Sequence, residues 1–241
     1  MWRPKFKVLL MVGALSTCGI ANAGLQEGIY AANEGKFEEA LKEFNYLADK
    51  GYAPGIYELG KLYEGGHGVT RDYHKAAELY QRGVNKQHVD SMFALAVLYQ
   101  EGKGVKLDKQ MSVKLFKQAA AKNMPAAQFN LGVMYANGDG VTLDYKEAIK
   151  WYEKAAGNNF TLAQFNIALM YFEGHGVEKS IEKSYIWNTV AEFNGNLNAS
   201  HSRKLDEQKL LPAQIVEAKE KANALYEKIQ AGLYAGEDRM F

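Results

Sequence analysis

Four glycine-containing turns are the first places along this chain where residue types and spacing could do chemistry. Each turn has the pattern Gly-x-Gly-Val, at residues 66–69, 102–105, 138–141 and 174–177. A glycine-rich turn can cradle a phosphate with its backbone N–H groups. Three residues after each valine stands a residue that could act as an acid or cap a helix, namely Asp72, Asp108, Asp144 or Ser180. Phosphate binding and acid catalysis are therefore the first hypotheses.

The regularity of these turns argues against both hypotheses. All four turns lie between two helical patterns in the same register, and no strand precedes any of them, as a phosphate-binding loop would require. Aspartate and serine both cap helix N-termini well, but they are not interchangeable as acids. We therefore predict that the glycines provide backbone conformations that a side chain would oppose, and that Asp72, Asp108, Asp144 and Ser180 are N-caps.

The histidines are spaced too widely to form a shared site. His67 and His175 occupy equivalent turn positions three repeats apart. Since packed helices lie about 8 to 10 Å apart, these side chains should be on the order of 25 to 30 Å from one another. No His-Glu-x-x-His pair or nucleophile motif occurs. We predict no catalytic residue, metal or cofactor, and keep an enzyme with an unrecognised site as an alternative.

The elements that position these turns repeat every 36 residues. Three ladders share this spacing: Leu59, Leu95, Leu131 and Ile167; Tyr63, Tyr99, Tyr135 and Tyr171; and Val69, Val105, Val141 and Val177. A fixed period of this length indicates a stacked repeat array. Apolar residues at helical spacing flank every turn, so each repeat is predicted to be a pair of helices. The fold class is therefore all-α.

The elements Leu-Gly-x-x-Tyr, Gly-x-Gly-Val, Asp and Ala-x-x-Trp-Tyr-x-x-Ala-Ala of residues 131–156 resemble the Sel-one-like repeat, a longer relative of the tetratricopeptide repeat. The resemblance covers residues 53–196, with departures at Met111-Ser112, at residues 180–184 and at Asn188, which replaces the usual aromatic residue. It implies an α-α superhelix, a right-handed solenoid that binds other proteins as an adaptor. Many exported bacterial members act in envelope regulation or host contact, and the family shares no catalytic residues.

The remaining segments complete a predicted order along the chain. Residues 1–23 have the parts of an export signal: the basic residues Arg3, Lys5 and Lys7, an apolar run, and the small residues Ala21-Asn22-Ala23. Cleavage is predicted before Gly24. We predict a tetratricopeptide-like cap at 24–52, four repeats at 53–196, capping helices at 197–230 and a flexible tail at 231–241.

The same segment determines where the protein is expected to act. An export signal predicts a periplasmic or secreted protein, and its apolar run is too short to span a membrane. Leu15-Ser16-Thr17-Cys18 approaches a lipoprotein signal, so a lipid anchor at Cys18 is the alternative. The basic and acidic residues nearly balance, at 29 and 28, and no basic stripe is concentrated anywhere, which argues against nucleic-acid binding.

The binding surface is predicted by analogy with tetratricopeptide arrays, in which the first helix of each pair lines a groove. The positions two before, two after and five after each ladder Leu or Ile give, in the third and fourth repeats, Phe129, Val133, Ala136, Phe165, Leu169 and Phe172. None of the other repeats has a large residue at the position equivalent to Phe172. We therefore expect a segment of another envelope or secreted protein to dock there. Packing of the aromatics in the core and glycan or peptidoglycan binding are the alternatives.

Overall fold

The computed structural model describes residues 9–234 and 236, with side chains from residue 21 onward. The described residues form helices and no strands: α1 (Leu9–Asn33), α2 (Phe37–Asp49), α3 (Ala53–Gly65), α4 (Tyr73–Asn85), α5 (Val89–Glu101), α6 (Lys109–Ala121), α7 (Pro125–Asn137), α8 (Tyr145–Gly157), α9 (Thr161–Glu173), α10 (Ile181–Phe193), α11 (Leu197–Glu207) and α12 (Pro212–Gln230). Successive helices pack as pairs, which confirms the all-α repeat fold. We number the repeats from α3–α4 as one to α9–α10 as four.

The helices belong to two compact units, Met1–Asp108 with α1 to α5 and Lys109–Phe241 with α6 to α12. The first unit has a core that includes Phe44, Leu47 and Ile56. The second has a core to which α8, α9, α10 and α12 contribute, with Trp187 and Leu225 fully buried. The helices thus bury apolar residues against their neighbours, as an array of two-helix units requires.

The turns have the conformations that the glycine pattern predicts. The first glycine of each turn ends its helix in the left-handed region, with φ between 69° and 78° at Gly66, Gly102, Gly138 and Gly174. The next helix begins at a capping side chain: Asp72 accepts from the N–H of Lys75, and Asp144 from that of Glu147. Ser180 caps α10 in the same way. The capping role of these three residues is confirmed.

A glycine in the first helix allows the second helix of the same repeat to approach closely. A Cβ added at Gly132 would lie 2.5 Å from the ring of Tyr152, and one at Gly60 would lie 2.5 Å from the ring of Tyr80. A real Cβ does not approach another atom so closely, so glycine is required there for the tyrosine ring to fit. The aromatic residue of each second helix is therefore part of the core in repeats one and three.

In the second unit, amide side chains link the first helix of a repeat to the end of its second helix, and one of them also reaches the preceding repeat. In repeat three, Asn158 Nδ2 donates to Gln128 Oε1 at 3.1 Å. Asn194 Nδ2 donates to Gln164 Oε1 at 3.0 Å and to Asn159 Oδ1 at 2.9 Å. Because Gln128 and Gln164 are buried, these bonds satisfy amide groups that would otherwise destabilise the core.

The two ends of the chain are described in part. Helix α1 is continuous from Leu9 to Asn33, whereas Arg3, Lys5, Lys7 and the side chain of Cys18 lie outside the described residues. In the part of the chain that is described, none of the helices combines the length and apolar character that crossing a membrane requires. Most of the predicted tail at 231–241 also lies outside, but Tyr234 packs edge-on against Trp187 with ring centroids 5.8 Å apart.

Candidate binding site

The six residues predicted to bind a partner are two copies of one set of repeat positions, and the structure places the copies differently. Phe129, Val133 and Ala136 lie on α7, partly buried against the core of the second unit. The Phe129 ring packs at 5.7 Å from Tyr152 and 5.2 Å from Phe160. The second copy lies on α9 and lines a cavity. The two copies do not line this cavity together.

We call this space the repeat-four cavity. It has a volume of about 120 Å³ and lies between α9, α10 and α11, lined by Phe165, Leu169, Phe172, Ser184, Asn188, Ser202, Leu205 and Asp206. The walls from α9 are apolar, whereas α10 contributes a hydroxyl and an amide and α11 a carboxylate. A small apolar cavity with a few convergent polar groups is the usual form of a binding site.

The cavity exists because an aromatic side chain is missing from the repeat pattern. Asn188 occupies the position that Tyr80, Phe116 and Tyr152 have in the preceding repeats. In repeats one and three that tyrosine ring packs 5.7 Å from the aromatic residue of the first helix. Phe165 is the equivalent first-helix residue in repeat four, and Asn188 has no ring to place against it. The space that the ring would fill is the cavity.

A carboxylate replaces an apolar residue at the floor of the same cavity. Asp206 is 1% exposed, at the repeat position that Leu62, Leu98, Met134 and Met170 occupy as buried residues. The Ser184 hydroxyl donates to Asp206 Oδ2 at 2.8 Å, and Asn188 Nδ2 donates to the same oxygen at 2.9 Å. The amide oxygen of Asn188, a residue only 2% exposed, has no partner among the described residues. Three departures from the apolar repeat thus form one polar cluster.

The rim of the cavity is apolar and positively charged. Leu169 is 41% exposed and Leu205 is 44% exposed. Lys209 Nζ lies 4.1 Å from the centroid of the Phe172 ring, and Lys179 Nζ lies 5.6 Å from it. We refer to Leu169, Phe172 and Leu205 as the α9–α11 patch. Exposed apolar side chains around a cavity offer area that a partner can bury.

Five of the cavity residues were not predicted as site residues, namely Ser184, Asn188, Ser202, Leu205 and Asp206. Leu205 and Asp206 lie 36 residues after Leu169 and Met170, so extending the period into α11 would have located them. Ser184 and Asn188 were visible as departures from the repeat, but their meeting with Asp206 depends on the packing of α10 against α11. The departures from the repeat are visible in the sequence, but only the contact between α9, α10 and α11 shows that they form one site.

Burial raises the pKa of Asp206 above its ordinary value of 3.8, although the hydrogen bonds from Ser184 and Asn188 and the charge of Lys209 act to lower it. A carboxyl whose pKa is raised on folding holds its proton more tightly in the folded state. The protonated carboxyl therefore contributes its full stabilisation of the folded state below the unfolded-state pKa, and this stabilisation is lost as pH rises through the folded-state pKa. The ionised cluster is therefore less stable than the protonated one.

This difference predicts a pH-dependent effect of Asp206→Met. The variant removes the only ionisable group of the cluster, so its stability relative to the native protein should increase as pH rises above the ordinary carboxyl pKa of 3.8. Urea unfolding at several pH values measures it. A difference that stays flat or falls with pH would contradict the raised pKa.

Glu192→Gln is the control of opposite sign. Burial acts to raise the pKa of Glu192, but hydrogen bonds from Ser200 and Arg203 outweigh it and hold the pKa below its ordinary value. The contribution of Glu192 is present above its unfolded pKa and is lost as pH falls. The cost of Glu192→Gln should therefore shrink toward low pH.

The histidines of the turns serve packing. The ring of His67 stacks on Phe37 at 5.0 Å, and that of His175 stacks on Tyr145 at 4.4 Å. No group of three or more His, Cys, Asp or Glu side chains in the described part of the chain is arranged to hold a metal ion. These histidines therefore pack against aromatic neighbours.

Comparison with known proteins identifies repeats with the same 36-residue spacing. A family model described as Sel1 repeat matches residues 53–88, 89–124, 125–160 and 161–187. A Sel1 repeat protein from Oxalobacter formigenes is 32% identical over 73% of this chain and 71% of its own, with a TM-score of 0.69. The protein c5321, a protective antigen present in uropathogenic Escherichia coli strains that displays an SLR fold, is 27% identical with a TM-score of 0.76.

The match to c5321 covers 89% of this chain and 46% of that protein, so this chain spans about half its length. A putative Sel1 repeat protein from Klebsiella pneumoniae subsp. pneumoniae is 18% identical over 80% of this chain and 96% of its own, with a TM-score of 0.50, and shares the fold. No curated protein matches the sequence.

Proposed function

Because the chain belongs to the Sel1 repeat family, whose repeats generally mediate protein–protein interaction, we propose that it is a non-enzymatic adaptor of the bacterial cell envelope. In this proposal a segment of another envelope or secreted protein docks on the α9–α11 patch and over the repeat-four cavity. The export signal at residues 1–23 supports the location, with a lipid anchor at Cys18 as the alternative.

The observation that supports this site most directly is the exposure of large apolar side chains around an unfilled cavity. Leu169 and Leu205 expose two fifths or more of their surface, next to the partly exposed Phe172 ring. Binding energy at protein interfaces concentrates on a few anchors that fill pockets and is small on the surrounding contacts. A partner that covers the patch can place one such anchor in the cavity.

A double variant, Leu169→Asp with Phe172→Asp, tests the proposal. First, the photo-crosslinker benzoylphenylalanine at position 205 identifies the partner in cells, and the partner is then purified. Affinity for that partner should fall by at least about 100-fold, since each lost anchor costs about 2 kcal/mol and two charges are placed in an apolar contact. Because both side chains are partly exposed, the melting temperature should change little.

Leu162→Asp is the matched control. Leu162 is 50% exposed on the same helix but does not line the cavity. Its change adds one of the two negative charges to α9 and should leave affinity nearly unaltered. Equal losses in the control and the double variant, or unaltered binding by the double variant, would refute the placement.

A further inference from the structure

We propose that the repeat-four cavity is a subsite for one tyrosine side chain of the partner, whose ring takes the place of the aromatic residue that Asn188 lacks and whose hydroxyl donates to the polar cluster at the floor. This inference rests on the proposed adaptor function. It adds the chemistry of the residue that the partner presents.

The floor of the cavity requires a hydrogen-bond donor. Asn188 Nδ2 donates to Asp206, which orients the amide so that its Oδ1 is the atom left over. That oxygen is buried and has no partner within the described residues. Asp206 receives its hydrogen bonds from Ser184 and Asn188 on one carboxylate oxygen, Oδ2. A buried acceptor without a donor is destabilising, so an occupant that brings an O–H or N–H gains the most.

Repeat one of the same chain contains the proposed arrangement as an internal contact. Tyr80 packs its ring 5.7 Å from the first-helix Tyr57, and its hydroxyl donates to Glu64 Oε2 at 2.5 Å. Burial and the hydrogen bond to Glu64 raise the pKa of Tyr80, so the hydroxyl remains a donor. The arrangement is a phenol between a first-helix aromatic ring and a carboxylate.

Repeat four has the two outer parts of this arrangement without the middle one. Phe165 is the first-helix ring, and Asp206 supplies the carboxylate from α11, whereas Phe172 stands where repeat one has Glu64. The phenol between them is missing from the chain, and Ala168 stands where repeat one has Gly60. The repeat itself therefore indicates which side chain the space suits.

The size and charge of the cavity favour tyrosine over other donors. A volume of about 120 Å³ is of the order of the cavity of about 150 Å³ that holds a benzene molecule in an engineered protein core. Lys179 and Lys209 lie beside Phe172 and disfavour a cationic side chain. A phenylalanine ring would fit, but it would leave Asn188 Oδ1 without a donor, and buried groups that lose their partner discriminate strongly.

The same two lysines indicate the flanking sequence of the partner. Their ammonium groups are exposed at the rim, where an acidic residue next to the tyrosine could pair with them. Exposed pairs contribute little to affinity but help to orient an approaching segment. The proposed ligand is thus a tyrosine in an acidic segment.

The test uses the purified protein with p-cresol, which is the tyrosine side chain as a free molecule, and toluene as the phenylalanine equivalent. NMR titration up to about 5 mM follows the methyl groups of Leu169 and Leu205 and the side-chain amide of Asn188. We expect p-cresol to shift these signals saturably and to bind about tenfold more tightly than toluene, because its hydroxyl donates to a buried acceptor that toluene leaves without a donor.

Two variants locate the effect. Asp206→Met introduces the residue type found at this position in repeats three and four, so it should fold, and it should remove the preference for p-cresol. Asn188→Phe introduces the aromatic residue that repeat two has and should abolish binding of both compounds. If Asp206→Met fails to fold, Asn188→Phe still decides whether the cavity is the site.

The possible outcomes either support the inference or overturn it. No saturable shift with p-cresol, equal affinity for toluene, or an unchanged preference in Asp206→Met would overturn it, as would a dimer of this chain in which a second copy occupies the cavity. A failure with p-cresol while Leu169→Asp with Phe172→Asp still loses the partner would remove the subsite and leave the adaptor function standing. Binding of p-cresol with no effect of that double variant on the partner would remove the adaptor site instead.

Discussion

Replacing Gly176 by alanine is expected to lower the free energy of unfolding by about 3–5 kcal/mol and the melting temperature by on the order of 10 °C. Gly176 has φ of +72°, which costs an alanine about 1–2 kcal/mol. Its added Cβ would also lie 2.6 Å from the carbonyl carbon of Tyr145 and 2.8 Å from the nitrogen of Lys146. These are backbone atoms at the start of α8, so they cannot move aside as a flexible side chain would.

Gly195→Ala is the control that separates conformation from packing. Gly195 has φ of +85° in the same unit, but a Cβ there would meet nothing within 4 Å. Its replacement should cost only the conformational part, about 1–2 kcal/mol. Urea unfolding of both variants measures the difference. Equal losses would mean that the contact between the turn and α8 contributes nothing.

The triple variant Ser184→Ala, Asn188→Phe and Asp206→Met is expected to stabilise the protein. The phenylalanine ring fills much of the cavity of about 120 Å³ and restores packing that the other repeats have. Replacing a buried polar cluster with apolar residues of suitable size is often neutral or stabilising. We expect a gain of about 2–4 kcal/mol, with complete loss of p-cresol binding.

All three substitutions introduce residue types that other repeats have at these positions. Ala148, Phe116 and Met170 are examples. The gain would be read from urea unfolding and calorimetry. A loss of stability would show that the polar cluster holds α10 and α11 together, in which case its role is structural.

Ser112→Ala separates the cavity from the serine. Ser112 is buried at the same repeat position as Ser184, and its hydroxyl has no partner among the described residues. Its removal should change stability by no more than about 1 kcal/mol, because no large space is filled. A gain in Ser112→Ala as large as that of the triple variant would assign the effect to serine burial alone.

The helices and turns could be predicted in detail because they depend on short-range rules that the period repeats. Asp72, Asp144 and Ser180 precede their helices by one residue, and capping requires only the local chain. Gly66 and Gly174 have positive φ, a backbone conformation that glycine adopts readily and that is also a local property. One repeat therefore served as a check on the next.

The candidate site could be predicted only in part, because it depends on contacts between three helices. Phe165, Leu169 and Phe172, which the sequence assigns to a groove, line the cavity. Phe129 has the same repeat position as Phe165, yet its ring packs against Tyr152. The side chains of the facing helix decide whether a residue lines a cavity or packs in the core. The periodicity of one helix does not predict which of the two occurs.

The missing ring of Asn188 also bears on how a repeat array can change its ligands. Repeat three has equivalent positions: Phe129 packs against Tyr152, and Met170 of the following helix has the repeat position of Asp206. Substituting Tyr152 with asparagine and Met170 with aspartate would open the same kind of site one repeat earlier. A solenoid can thus acquire a pocket by subtraction, through loss of one side chain, while its backbone, caps and turns stay as they are. Ligand choice can evolve from one repeat to the next at little cost to the fold.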